Sequence, residues 1–369
     1  MKLFECQKCA NLLYFENTSC EKCGSLVGYL ADQQLLSAVL PAGNHWTALA
    51  HSKVPYRFCA NWENRACNWL INVASANPYC RACQHNSTIP DVTDPHNHAL
   101  WVKMETAKRR LFYSLIKLRL PLPLRKDECP EPLEFDFLND PADRQVMTGH
   151  DSGKITIALR EADDAERERL RVNLHEPYRT LLGHFRHEVG HFYWDRLVRD
   201  DNRLEGFRDV FGDERKDYAA ALAVYYTSGP PADWQKSYVS GYATMHPWED
   251  FAETWAHYLH IVDTLEMGFA FGMTISPRLK NEHGMNAKIA RDPYAMTTID
   301  ELLAAWLPIT FAVNSLNRTM GQPDLYPFII SPPAARKLDY IRSLVQTGAG
   351  VTTWRTKVSD SLKKLHIRS

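Results

Sequence analysis

The chain has 369 residues, 43 of them lysine or arginine and 44 aspartate or glutamate, for a formal charge of -1. That balance argues against a chain built to coat nucleic acid or a membrane surface. Hydrophobic residues at 45% and charged ones at 24% exclude wholesale disorder, and no apolar run approaches the ~18 residues of a membrane span. The N-terminal residues Met1 to Cys6 lack the apolar core of a signal peptide, which places the protein in the cytosol. Nine cysteines there are better explained by metal than by disulfides.

Cys6-x-x-Cys9 and Cys20-x-x-Cys23, ten residues apart, form paired knuckles whose thiolates can close a tetrahedron around zinc. They predict a zinc ribbon over residues 1–35. Cys59, Cys67, Cys80 and Cys83 predict a second cysteine-rich, zinc-binding unit over 50–100, with His85 as a substitute ligand. Such small units have little core, so metal binding would supply their folding energy. Four-thiolate sites leave no open position, so their part is structural, or the recognition of a partner, for which a protein is favoured over nucleic acid without excluding it. Cys129 matches neither spacing and reads as a buried thiol.

Residues 101–145 read as a helix and linker. Trp101 to Leu118 is an amphipathic basic helix whose Lys103, Lys108, Arg109 and Arg110 form a solvated face. Pro121, Pro123, Pro130 and Pro132 then mark a junction. Residues 146–369 read as an α+β domain in which helices dominate. Gly153 to Leu159 alternates apolar and polar residues and predicts a strand. Helices are expected from about Pro177 to Leu197 and from Pro247 to Glu266, with Pro247 at the first helical position. The chain beyond 300 reads as mostly helical with a loop at Pro332 and Pro333. Its basic end, with Arg355, Lys357, Lys363, Lys364 and Arg368, could assist a binding role.

His187-Glu188-Val189-Gly190-His191 is a HExxH motif within the first of those two helices. Residues four apart share a helical face, so both imidazoles can reach one metal while Glu188 touches a metal-bound water as general base. A catalytic zinc needs a third protein ligand. The strongest candidate is Glu249, because Glu253 stands one turn later and can fix a ligand histidine through its free ring N–H. Asp213 and Asp217 remain rivals within the 57 residues that separate His191 from Glu249. His184 reads as a hydrogen-bonded structural histidine, and His257 and His260 as satisfied core or surface groups.

With Glu249-Asp-Phe-Ala-Glu253 following HExxH, the chain resembles the gluzincin metallopeptidases, in particular the lethal-factor-like arrangement. Over nearly its full length it is similar to bacterial zinc-binding metallopeptidases with an N-terminal zinc ribbon. The supporting runs are Tyr178 to His191, Phe211 to Glu214, and Glu249 to Leu259. The resemblance implies a zincin-like domain that hydrolyses a protein or peptide substrate. It carries one catalytic zinc on His187, His191 and Glu249, with Glu188 as base and Glu253 behind the ligands. Two further zincs would be structural. In zincins a strand placed like Gly153–Leu159 pairs with an extended substrate. Tyr242 matches the oxyanion-stabilising tyrosine of lethal-factor-like enzymes, and His246 is a rival for that task. The alternative reading is a zinc-ribbon adaptor or regulatory protein that binds protein or nucleic acid on a silent peptidase scaffold, against which the intact Glu188 argues.

Overall fold

The computed structural model describes residues 2–141, 143–173, 176, 178–279 and 284–348. The basic residues from Arg355 to Arg368 lie outside them.

The chain opens on the hairpin β1 (Phe4–Glu5) and β2 (Leu12–Leu13). It continues into an antiparallel sheet of five strands in sequence order: β3 (Val27–Leu30), β4 (Leu35–Ala42), β5 (His45–Ala48), β6 (Pro55–Phe58) and β7 (Leu70–Asn72). Residues 36–49, between the two expected cysteine units, are thus strands of one sheet that links both clusters. An aromatic cluster joins this sheet to the first long helix. Tyr29 packs on Phe15 and Trp69 at ring distances of 4.8 and 5.0 Å, and Phe15 meets Tyr113 at 5.4 Å.

Tyr113 belongs to α1 (Pro95–Lys117), which Asp94 caps by accepting the His96 N–H. This helix is only in part the solvated basic element expected: Lys103 is exposed and Arg110 half-buried. Lys108 and Arg109 are buried, because α1 lies between the N-terminal sheet and the helices beyond it. Lys108 donates to Glu105 at 2.8 Å and to Asn86, and Arg109 donates to the Ala66 carbonyl. Buried cations need such partners.

A second sheet has the order β10 (Gly149–Asp151), β11 (Lys154–Ala158), β9 (Glu134–Leu138), β8 (Asn86–Thr88). β10 and β11 form a hairpin whose two turn residues, Ser152 and Gly153, have φ of 51° and 86°, the geometry that favours glycine. A Cβ on Gly153 would also lie 2.5 Å from the Pro132 carbonyl oxygen. Phe135, Phe137, Ile155 and Ile157 fill one face, and Phe135 packs against Phe112 of α1 and Phe185 of the next long helix. β11 is hydrogen-bonded on both sides, so the strand expected to pair with substrate has no free edge. The edge strands of this sheet are β10 and β8.

The remaining helices are α2 (Asp164–Asn173), α3 (Leu181–Trp194), α4 (Leu204–Phe211), α5 (Tyr218–Ser228), α6 (Pro247–Ala270), α7 (Ile299–Thr319) and α8 (Pro332–Gly348). α3 starts at Leu181 because Thr180 caps it, accepting the Gly183 N–H at 3.0 Å, and it runs on into a π-helical turn, Asp195–Arg199. Pro332 and Pro333, expected in a loop, instead start α8, where a missing N–H costs nothing. α7 is long and apolar enough to cross a membrane by length and composition, which the sequence reading did not register. Its Leu302, Trp306 and Ile309 are buried in the core.

The centre of the second half is the packing of α3 on α6. A Cβ built on Gly190 would lie 3.0 Å from Ala252 Cα and 3.2 Å from Trp255 Cβ. Three polar ties fix α6 further, to α3, α1 and α8. Arg186 of α3 pairs with Asp263 of α6, which also accepts from Ser114 of α1 at 2.7 Å. Tyr113 donates to Glu266 at 2.6 Å, and Lys337 of α8 pairs with Asp250 at 2.6 Å. Gly190→Val should therefore overpack this contact and cost about 2–3 kcal/mol, read as a lowered melting temperature. An unchanged melting temperature would show that the helices can separate freely at this point.

Candidate metal centre

His187 and His191 project from the same side of α3, and Glu249 comes from the first turn of α6. The Nε2 atoms of the two histidines are 3.2 Å apart. Glu249 Oε2 lies 2.9 Å from the first and 3.4 Å from the second. Ligands about 2.0–2.1 Å from a tetrahedral zinc would stand roughly 3.3–3.4 Å from one another. The donor triangle fits that ion without rearrangement.

Each ligand is held by a different contact. His187 Nδ1 meets Glu253 Oε1 at 2.7 Å, and Ser240 donates to the other Glu253 oxygen at 2.5 Å. The His191 ring lies against Trp248 with centroids 3.7 Å apart. Tyr218 donates to Glu249 Oε1 at 2.8 Å, which leaves Oε2 turned to the histidines.

The electrostatics favour a cation here. Burial opposes a charged His187, yet the Glu249 and Glu253 carboxylates hold its pKa well above the usual histidine value. Burial likewise works against ionised Glu249, but His191 and His187 keep it well below the carboxylate range. A site that stabilises one positive charge so strongly also suits a metal that replaces the proton. Beside it Glu188 is 8% exposed. Burial, the largest cause, raises its pKa, as suits a proton acceptor working near neutrality.

Tyr242 stands near the ligands, its ring 6.0 Å from that of His187. Burial raises its pKa, which keeps the phenol protonated and able to donate. His246 is differently engaged. Its Nδ1 accepts the Trp248 N–H at 3.2 Å, capping α6, and its Nε2–H donates to the Lys216 carbonyl at 3.1 Å. With both ring nitrogens committed to the backbone, His246 has no free atom for an oxyanion.

The rival acidic ligands are occupied elsewhere. Asp213 accepts from Arg215 at 2.8 Å, Glu214 from Arg208 at 2.9 Å, and Asp217 caps α5 through the Ala220 N–H at 3.0 Å. His184 faces Glu161 at 3.3 Å. His257 meets the Tyr326 hydroxyl at 2.5 Å, and His260 approaches Arg186 at 3.5 Å. Tyr218, Trp248 and Ser240 went unassigned in the sequence reading. Trp248 sits inside the run that carries Glu249. Tyr218 follows a cap residue 31 positions before Glu249, and no spacing links the two.

The cysteines gather as expected in two fours: Cys6, Cys9, Cys20 and Cys23, and Cys59, Cys67, Cys80 and Cys83. Sulfur separations are 3.5 Å for Cys9 and Cys20, and 3.7 Å for Cys6 with Cys23 and Cys67 with Cys80. A tetrahedral zinc with ~2.3 Å bonds to sulfur requires roughly 3.8 Å, so both sets fit. His85 is no part of the second set. It donates from Nδ1 to the Leu133 carbonyl at 2.7 Å. Cys129 is buried and apart from both clusters.

Residues 97–344 match the model of a family described as "Putative zinc-binding metallo-peptidase", and residues 3–94 match a zinc-ribbon domain. An uncharacterized protein of Mycobacterium bovis and one of Mycobacterium tuberculosis are each 38% identical to the chain over 346 residues, covering 94% of it and 95% of theirs. No solved structure matches it.

Several histidines around this framework are buried and neutral. Burial, the largest cause in each case, lowers the pKa of His85 and His257 to about 4 and that of His260 to about 3. The unfolded chain, titrating near ~6.5, then binds more protons than the folded one below that pH. Stability is full above about 6.5 and is lost as pH falls toward about 4. Melting temperature should drop across that window, and His257→Asn should make the drop shallower. Equal slopes in the two proteins would show that His257 titrates normally in the fold.

Proposed function

The chain belongs to this zinc-binding metallo-peptidase family, and we propose that it is a zinc-dependent peptidase with a zincin-like catalytic domain. The observation that carries this is the triangle of His187, His191 and Glu249, with edges of 2.9 to 3.4 Å and Glu188 beside it. Glu253 would fix the His187 ring from behind, and the two cysteine sets would hold structural zincs.

Bound at the triangle, zinc would polarise the scissile carbonyl and lower the pKa of a water toward ~7. The protein's own groups then do the proton work. The Glu188 carboxylate takes a proton from the attacking water and passes it to the amide nitrogen as the C–N bond breaks; the second water proton follows to the amine, leaving a carboxylate and an ammonium group. Tyr242 donates to the negative charge that develops on the carbonyl oxygen. An extended peptide would add to the open edge of β10, where His150 brings the sheet within a ring distance of 6.3 Å of His191.

Metal analysis should find three zincs per chain, and one or none would remove both structural assignments. Glu188→Gln should abolish cleavage of a peptide library while keeping zinc content and melting temperature. Tyr242→Phe should lower turnover by about 10²-fold. Zinc loss from Glu188→Gln, or full turnover by it, would refute its part as base.

A further inference from the structure

Tyr218 reaches the centre from an unusual element. α5 buries no side chain, although its sequence, Tyr-Ala-Ala-Ala-Leu-Ala-Val-Tyr-Tyr-Thr-Ser, is largely apolar. Val224 and Tyr226 are 63% and 64% exposed. The segment is bounded by Gly212 and Gly229, whose φ angles of 98° and 68° lie where side chains are strained. Hydrophobic burial therefore does little to hold α5 in place. Its contacts with the site are specific ones. The Tyr218 hydroxyl bonds Glu249, its ring meets His246 and Trp248 at 5.4 and 6.1 Å, and Tyr225 meets Tyr242 at 5.5 Å.

Glu249 is 2% exposed, so an Oε1 without a donor would be a buried, unsatisfied acceptor. It would also be free to turn toward the histidines and compete with Oε2. We propose that Tyr218 is a positioning residue for the metal centre: it holds Glu249 Oε1 so that Oε2 alone faces His187 and His191. The seating of α5 on the site thereby sets how tightly the centre keeps its metal. This rests on the reading of the centre as a zinc site. The part assigned to Tyr218 differs from that proposed for Tyr242, which would face the reacting carbonyl and need not touch a ligand.

The test uses purified full-length protein, with zinc competed away by a chromophoric chelator and cobalt substituted for its absorption spectrum. Tyr218→Phe keeps the ring and removes the donor. It should weaken metal binding at the third site about 10–100-fold and alter the cobalt spectrum. The two four-cysteine sites should keep their metal. Asp217→Ala, which removes the α5 cap but keeps the phenol, should weaken binding in the same direction. Wild-type affinity and cobalt spectrum in Tyr218→Phe would overturn the proposal. So would reduced turnover with unchanged affinity, which would assign the phenol to substrate. Glu249→Ala separates the two levels: if it retains the third metal, the reading of the centre itself fails, whatever Tyr218→Phe does.

Discussion

Everything at the candidate centre depends on how closely α3 and α6 approach. The two histidines are set by spacing within one helix, but the third donor must come from another element with its oxygen within about 3 Å of both. Gly190, between the histidines, lets the α6 backbone come close enough: a Cβ there would meet Ala252 Cα at 3.0 Å. The contact lies one turn from Glu249 on one helix and next to His191 on the other. A shift of even an ångström there would open the donor triangle, because rigid helices carry displacement directly to their side chains.

Close packing alone does not fix the register of two helices, since apolar surfaces can slide at small cost. Buried ion pairs resist sliding, because a partner moved out of reach leaves a desolvated charge. Arg186 with Asp263 locks α3 to α6 on the helix face that also receives Ser114 of α1. Lys337 with Asp250 does the same from α8, at the residue adjacent to Glu249. α1 contributes Lys117 and Tyr113 to Glu266, and the Tyr113 ring also packs in the N-terminal aromatic cluster. Buried polar contacts thus connect the region of the cysteine clusters to the helix that supplies Glu249. Lys108, Arg109 and Lys117 of α1 belong to that internal framework.

Local and tertiary contacts differ in how far the sequence reveals them. Donors repeated at a short interval, such as the CxxC pairs and HExxH, are legible because local backbone geometry alone brings them together. Glu249 was legible more weakly, through Glu253 one turn later on the same helix. Tyr218, Ser240 and Trp248 act across elements, and no interval along the chain marks a contact made by tertiary packing. The same reason hid the burial of Lys108 and Arg109: helical periodicity gives a face, but not how many faces are covered. β11 was found by its alternation, yet alternation cannot tell a central strand from an edge strand, and the edge strand on its side of the sheet proved to be β10.

The three donors are supported unequally, and the difference has a physical origin. His187 is tied by a charge-assisted bond to Glu253, itself on α6 and braced by Ser240, so its support moves with the rigid helix pair. His191 Nδ1 has no hydrogen-bond partner among the described residues. Its orientation rests on the Trp248 ring, a broad contact that limits tilt but permits some rotation within the plane. Glu249 has a short, directional bond, but the donor is carried by an exposed helix between two glycines with positive φ. Stiffness therefore falls from His187 through His191 to Glu249. Motion of the ligand set should be greatest where the support is least buried, on the side of α5. That side also carries Tyr225 against Tyr242, so a shift of α5 reaches both the carboxylate that would hold the metal and the phenol that would face the substrate.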